Sequence, residues 1–139
     1  MTSTEFSGPV DFAVFVVPEH ADPLGGLQTL LELADRGSID LLDLEVVRSD
    51  GHGGGTHLNL QDCALSGLDQ FVGADSGLLG EDDLAAVASD LGEGETAIVV
   101  VYQDRSLAPV AAAWAQAGIR LQAVGGVDLS ELSTDLVQE

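Results

Sequence analysis

Between two alternating runs the chain reads Ser49-Asp50-Gly51-His52-Gly53-Gly54-Gly55, a segment dense in glycine. In the run before it, Leu42 to Arg48, Leu44 and Val46 alternate with Asp43 and Glu45. In the run after it, Thr56 to Gln61, Leu58 and Leu60 alternate with His57, Asn59 and Gln61. Strand side chains point to opposite faces in turn, so pairing Val46 with Leu58 and Leu44 with Leu60 gathers both apolar sets on one face. A connection from Ser49 to Gly55 is too short for the crossover that parallel strands need. The fold therefore has an antiparallel hairpin at its centre, and a doubly wound parallel sheet is disfavoured.

The flanking segments read as βα units. Pro9 to Val17 is β-rich and apolar on both alternating faces, with Asp11 its only charge, which predicts a central first strand. Asp22-Pro23 is a helix start: the carboxylate accepts from orphan amides, and proline at the first helical position gives up a donor that had no partner. Leu24, Leu27, Leu30, Leu31 and Ala34 form the helical stripe to Arg36, and Gly37 stops it. A second helix is expected over Glu81 to Leu91, with acids in its first turn and Leu84, Val87, Ala88 and Leu91 on one stripe. Thr96 to Tyr102 is apolar almost throughout and reads as a strand buried on both faces. A third helix, capped by Asp104 or Ser106, carries Leu107, Val110, Ala111, Trp114 and Ala117 and ends at Gly118. A fifth strand over Ile119 to Val124 and a short helix over Asp128 to Leu136 complete the reading.

The order β-α-β-β-α-β with an appended α-β-α predicts an α+β fold: a ferredoxin-like βαββαβ sandwich with helices on one face and strands one and three inside, plus a C-terminal αβα extension. Residues 1–139 read as one domain. Residues 1–8 are a polar tail, and Asp62 to Gly80 is an irregular connection with one short helical turn, either a packed excursion or a lid or contact surface.

Charge excludes several functions. There are 24 acidic residues against Arg36, Arg48, Arg105 and Arg120, with no lysine, and the formal net charge is −20. Nucleic acid and anionic membrane surfaces need clustered Lys/Arg, so neither is an expected partner. A basic protein partner or simple solubility fits the acidity. No apolar run approaches the roughly 18 residues of a membrane span. Cys63 is the single cysteine, so no intramolecular disulfide forms and a cytoplasmic location is expected.

Catalytic patterns are missing. Ser66, Ser76, Ser89 and Ser106 lie outside any G-x-S-x-G elbow, and Glu81-Asp82-Asp83 is explained by a helix N-terminus. Leu24-Gly25-Gly26-Leu27 and Val124-Gly125-Gly126-Val127 match neither a dinucleotide fingerprint nor a P-loop. His52, His57 and Asp50 offer up to three ligands for a weak divalent metal at the hairpin loop, with His20 a fourth group. Their spacing does not fix two imidazoles as an i, i+4 pair on a helix would, so a turn is the competing reading. No catalytic, cofactor-binding or metal-ligating residue is assigned. Trp114 is expected to pack in the core or to line a ligand or partner pocket.

Several stretches together resemble an uncharacterised bacterial family, a domain of unknown function. They are Gly8-Pro9-Val10-Asp11-Phe12, Asp35-Arg36-Gly37-Ser38-Ile39-Asp40-Leu41-Leu42-Asp43-Leu44, Ser76-Gly77-Leu78-Leu79-Gly80-Glu81-Asp82-Asp83-Leu84 and Gly94-Glu95-Thr96-Ala97. More distantly the chain is similar to small stress-associated proteins that carry a long glycine-rich, hydrophobic middle between the same two halves. Here that middle is the polar segment 62–80, so the resemblance implies no membrane role. It brings no catalytic residues; the shared stretches imply a helix stop at Gly37 and an acidic helix start at Glu81 to Asp83.

The leading expectation is a non-enzymatic module, stress-related by what the resemblance implies, acting through protein contacts as a homo-oligomer. The alternative is a dimeric α/β-barrel enzyme or sensor whose sheet face encloses a small molecule or haem, in a pocket lined by strand-one residues such as Phe15.

Overall fold

The computed structural model describes residues 8–63 and 65–123. The expected polar tail lies outside them except for Gly8, and so does the short helix over 128–136. Within them the order is β1 (Val10–Val17), α1 (Leu24–Asp35), β2 (Ile39–Ser49), β3 (Gly55–Leu58), a 3-10 turn (Leu68–Phe71), α2 (Glu81–Ser89), β4 (Thr96–Asp104) and α3 (Ala108–Ala115). The α+β class holds, with one four-stranded sheet in which every neighbouring pair is antiparallel.

The strand order β1-β4-β2-β3 corrects the expected interior. Strands β2 and β4 lie inside, whereas β1 and β3 form the edges. A ferredoxin-like sandwich with strands one and three inside is therefore not the arrangement found. The pattern misled because a strand apolar on both faces reads the same whether it is covered by its own chain or exposed at an edge.

The helices also divide between the two faces rather than sharing one. On one face Leu27 of α1 packs with Leu44, Val46, Ile98, Val100 and Val17, joined by Leu60, Leu68 and Phe71 from the long connection. On the other face Leu84, Ala88 and Leu91 from the α2 region pack on Val47, Ala97 and Val99. The alternation within β2 and β4 makes this possible: Val46 faces Ile98 on one side, and Val47 faces Ala97 on the other. Strand β4 is buried through Val101, as its unbroken apolar run requires.

Local signals in the sequence behave as expected at several ends. The Leu24 N–H donates to Asp22 Oδ1 at 3.1 Å, and Gly37 takes a φ of 80° after α1. The α2 start is closed by the Gly80 N–H donating to Asp83 Oδ2 at 3.0 Å. The hairpin pairs Val46 with Leu58, but β3 stops there, so Leu44 and Leu60 do not pair. Leu44 N–H instead donates to the carbonyl of Ala74 at 3.1 Å. The connection from β3 thus runs along the outer side of β2 and passes from the α1 face to the α2 face. That route accounts for its length. Residues 119–123 form no strand, which removes the described part of the expected fifth one.

Candidate functional site

Asp43 and Glu45, which alternate with the apolar residues of β2, are the most completely enclosed polar groups in the sheet. Asp43 is 0% exposed and Glu45 is 2% exposed. They sit two residues apart on the α2 face of β2, and residues 74–80 close over them. The Ser76 N–H donates to Asp43 Oδ1 at 2.9 Å, and the Leu79 N–H donates to Oδ2 at 2.8 Å. The Gly77 N–H donates to Glu45 Oε2 at 3.2 Å, and Ser76 Oγ donates to the Leu42 carbonyl at 2.6 Å. Leu42 lies at an irregularity in the β2–β4 pairing between Leu41 and Asp43. The two buried carboxylates act as acceptors for the backbone amides of this loop.

From β3, the half-exposed His57 places Nε2 2.6 Å from Glu45 Oε1. The contact is an ion pair when the imidazole carries its second proton and a neutral hydrogen bond otherwise. Burial pushes the Glu45 carboxyl above its ordinary value, and the neighbouring Asp43 adds to the rise against the opposing effects of His57 and the Gly77 amide. Asp43 is also buried, which by itself raises a carboxyl. Its hydrogen bonds with Glu45 and with the Leu79 and Ser76 groups outweigh that and hold it below its ordinary value.

The hairpin loop separates the histidines. Asp50 Oδ1 accepts from the His52 N–H at 2.7 Å and from the Gly54 N–H at 3.1 Å, while Ser49 Oγ accepts from the Gly51 N–H. Gly51 and Gly53 supply positive φ values of 82° and 85°. The His52 amide holds the Asp50 carboxyl below its ordinary value. Asp50 is therefore committed to the turn, His52 is exposed at the tip, and His57 points to Glu45. His20 lies in the exposed turn after β1. Among the described residues no three His, Cys, Asp or Glu side chains are grouped to hold a metal ion.

Apolar side chains expected in the interior lie outside it. Phe12 is 69% and Phe15 58% exposed, and Val10 and Val16 are also exposed, so β1 shows apolar surface on both of its faces. Trp114 is 56% exposed, and α3 buries none of its residues. An open cleft of about 480 Å³ lies beside α3, lined by Pro9, Leu107, Val110, Trp114, Ile119 and Arg120 among others. Phe15 does not line it. Cys63 and Tyr102 pack against the α1-side core. The Ser106 N–H donates to Asp104 Oδ1 at 2.9 Å in the turn before α3, but the helix starts from Leu107 with no side-chain cap, so neither Asp104 nor Ser106 caps it as expected; Ser89 Oγ donates to a carbonyl of its own helix.

The sequence carries no sign that Asp43 and Glu45 are enclosed, because alternation with Leu44 and Val46 is also how a solvent face is written. What encloses them is a loop whose path is set some thirty residues later. Among the described residues no helix is long and apolar enough to cross a membrane. No protein-family model matches the chain, and no curated protein or solved structure matches it.

Proposed function

We propose that this chain is a non-enzymatic protein-contact module that self-associates by pairing its β1 edge with the β1 edge of a second copy. The observation that carries this reading is the exposure of β1: eight residues, one charge, and apolar side chains open on both faces. Natural sheets usually blunt such an edge with lysine, proline, charge or a covering segment, because its free N–H and C=O groups are a template for another strand.

A second copy fits better than a basic partner. The molecule carries −20 overall, yet β1 offers only Asp11, so nothing on the strand itself selects for positive charge. Antiparallel pairing about a two-fold axis keeps each residue opposite one of the same face. An axis through Val14 sets Phe12 opposite Val16 of the second copy, and Asp11 opposite Val17. Like charges then never meet across the strand pair. The result is a continuous eight-stranded sheet with apolar surface gathered on both sides of the join. The overall charge opposes this approach, so association should strengthen with salt as that repulsion is screened.

The test is sedimentation of the wild-type chain and of Val14→Lys over a range of concentrations. Self-association predicts a concentration-dependent dimer for the wild type and a monomer for the variant. A wild-type monomer at every concentration and salt level would contradict it.

A further inference from the structure

Helix α3 has a composition at odds with its surroundings. Its sequence, APVAAAWA, holds no charge, yet none of its residues is buried. A helix apolar on every side is one that other elements cover. Leu107, Val110 and Trp114, at intervals of three and four, present one stripe to the cleft of about 480 Å³, and all three are exposed. Past the helix, Gly118 takes a φ of 82° and the Ile119 N–H donates to the Trp114 carbonyl at 3.0 Å. The chain reverses there, and residues 119–123 line the same cleft.

We propose that this cleft is the docking site of the chain's own residues 128–136, folded as a helix whose leucines cover Trp114. Leu129, Leu132 and Leu136 repeat at intervals of three and four, the spacing of the stripe that they would meet. At 1.5 Å per residue this segment is about 13 Å long and α3 about 12 Å, so one stripe covers the other. The chain also reaches. Residues 124–127, Val-Gly-Gly-Val, join the cleft wall to the segment and span about 13 Å when extended. Packed helix axes lie about 8–10 Å apart.

Charge selects the same occupant. Asp128, Glu131 and Asp135 repeat one position ahead of the three leucines, so they form an acidic row beside the apolar stripe. The charged residues lining the cleft are Asp104 and Arg120. Asp104 accepts from the Ser106 N–H, which leaves the exposed Arg120 as the cation for that row. A helix this short is marginal alone in water, so its folding and its docking are one event. Residues 1–7 also adjoin the cleft, through Pro9, but they bring only Met1 and Phe6 as large apolar side chains and no helical stripe.

Trp114 is the single tryptophan, so its fluorescence reads the cleft directly. The experiment compares emission wavelength and acrylamide quenching of the full wild-type chain with those of Leu132→Asp and Leu136→Asp. Docking predicts a Trp114 that is shielded in the wild type at every protein concentration. In both variants its emission should shift to the red and its quenching constant rise severalfold. An unshielded wild-type Trp114 would overturn the proposal. So would shielding that both variants retain, which would give the cleft to another occupant, or shielding lost on dilution, which would give it to a second copy. Should the variants fail to fold, wild-type NMR decides. Nuclear Overhauser contacts from the Trp114 indole to the methyls of Leu129, Leu132 or Leu136 support docking, and an indole with no contact to any of the three overturns it.

Discussion

Strand β3 closes one side of the sheet with four residues, and beyond Leu58 the outer side of β2 is taken by Ala74, whose carbonyl accepts from Leu44. Strand β1 closes the other side with eight residues, and no described segment lies along it. The two edges also differ in chemistry. Around β3 the buried charges are satisfied one by one, with Asp43 and Glu45 accepting amides and His57 reaching back to Glu45. Along β1 there is almost no charge to satisfy, and Phe12 and Phe15 open to opposite sides. The first edge is sealed by its own chain. The second has the composition of an interior strand, yet among the described residues its side chains lie largely uncovered.

The largest expected effect is on the open edge. Val14→Lys at the two-fold axis would bring two ammonium groups together at a desolvated join. A buried unpaired charge at an interface costs about 2–5 kcal/mol, so the dimer dissociation constant should rise by roughly two orders of magnitude or more. The monomer fold should hold, since Val14 is exposed, and circular dichroism with a thermal scan checks that.

The sealed edge breaks differently. Asp43→Asn leaves either Ser76 or Leu79 facing an amide donor, which should lower unfolding free energy by about 1–3 kcal/mol in urea titration. Acid should act on the wild type in the same direction. Asp43 is held below its ordinary value of 3.8, so the stability it contributes is present above that value and is lost as pH falls through the depressed one. Gly55→Val tests the packing on the same edge. A Cβ there would lie 2.6 Å from Ala88 Cβ and 2.8 Å from Val47 Cγ1, so α2 must move, at about 1–3 kcal/mol. At the small end, His52→Ala at the exposed tip should change stability by no more than about 0.5 kcal/mol.

The difference between the edges also marks where the sequence was legible. Short-range chemistry was: the Asp22 cap, the Gly37 stop, the acidic start of α2 and the Val46–Leu58 register all depend on groups within a few residues or across one turn. The buried character of β4 was legible too, because Thr96 to Val101 leaves no polar face to present to water. Strand order was not legible. β1 and β4 carry nearly the same apolar pattern, and their places are decided by which strand the other elements enclose. The fates of Asp43 and Trp114 were reversed for the same reason. A helix stripe or an alternating strand states which side is apolar; only the path of distant chain decides whether that side is covered.

The central claim is that the β1 edge is completed by a second copy, and its most direct measurement is sedimentation equilibrium of the wild-type chain across concentration at low and high salt. Self-association through a nearly uncharged strand on a −20 molecule predicts a dimer whose dissociation constant falls as salt rises. A mass that stays at 14.3 kDa at every concentration and salt level would contradict it.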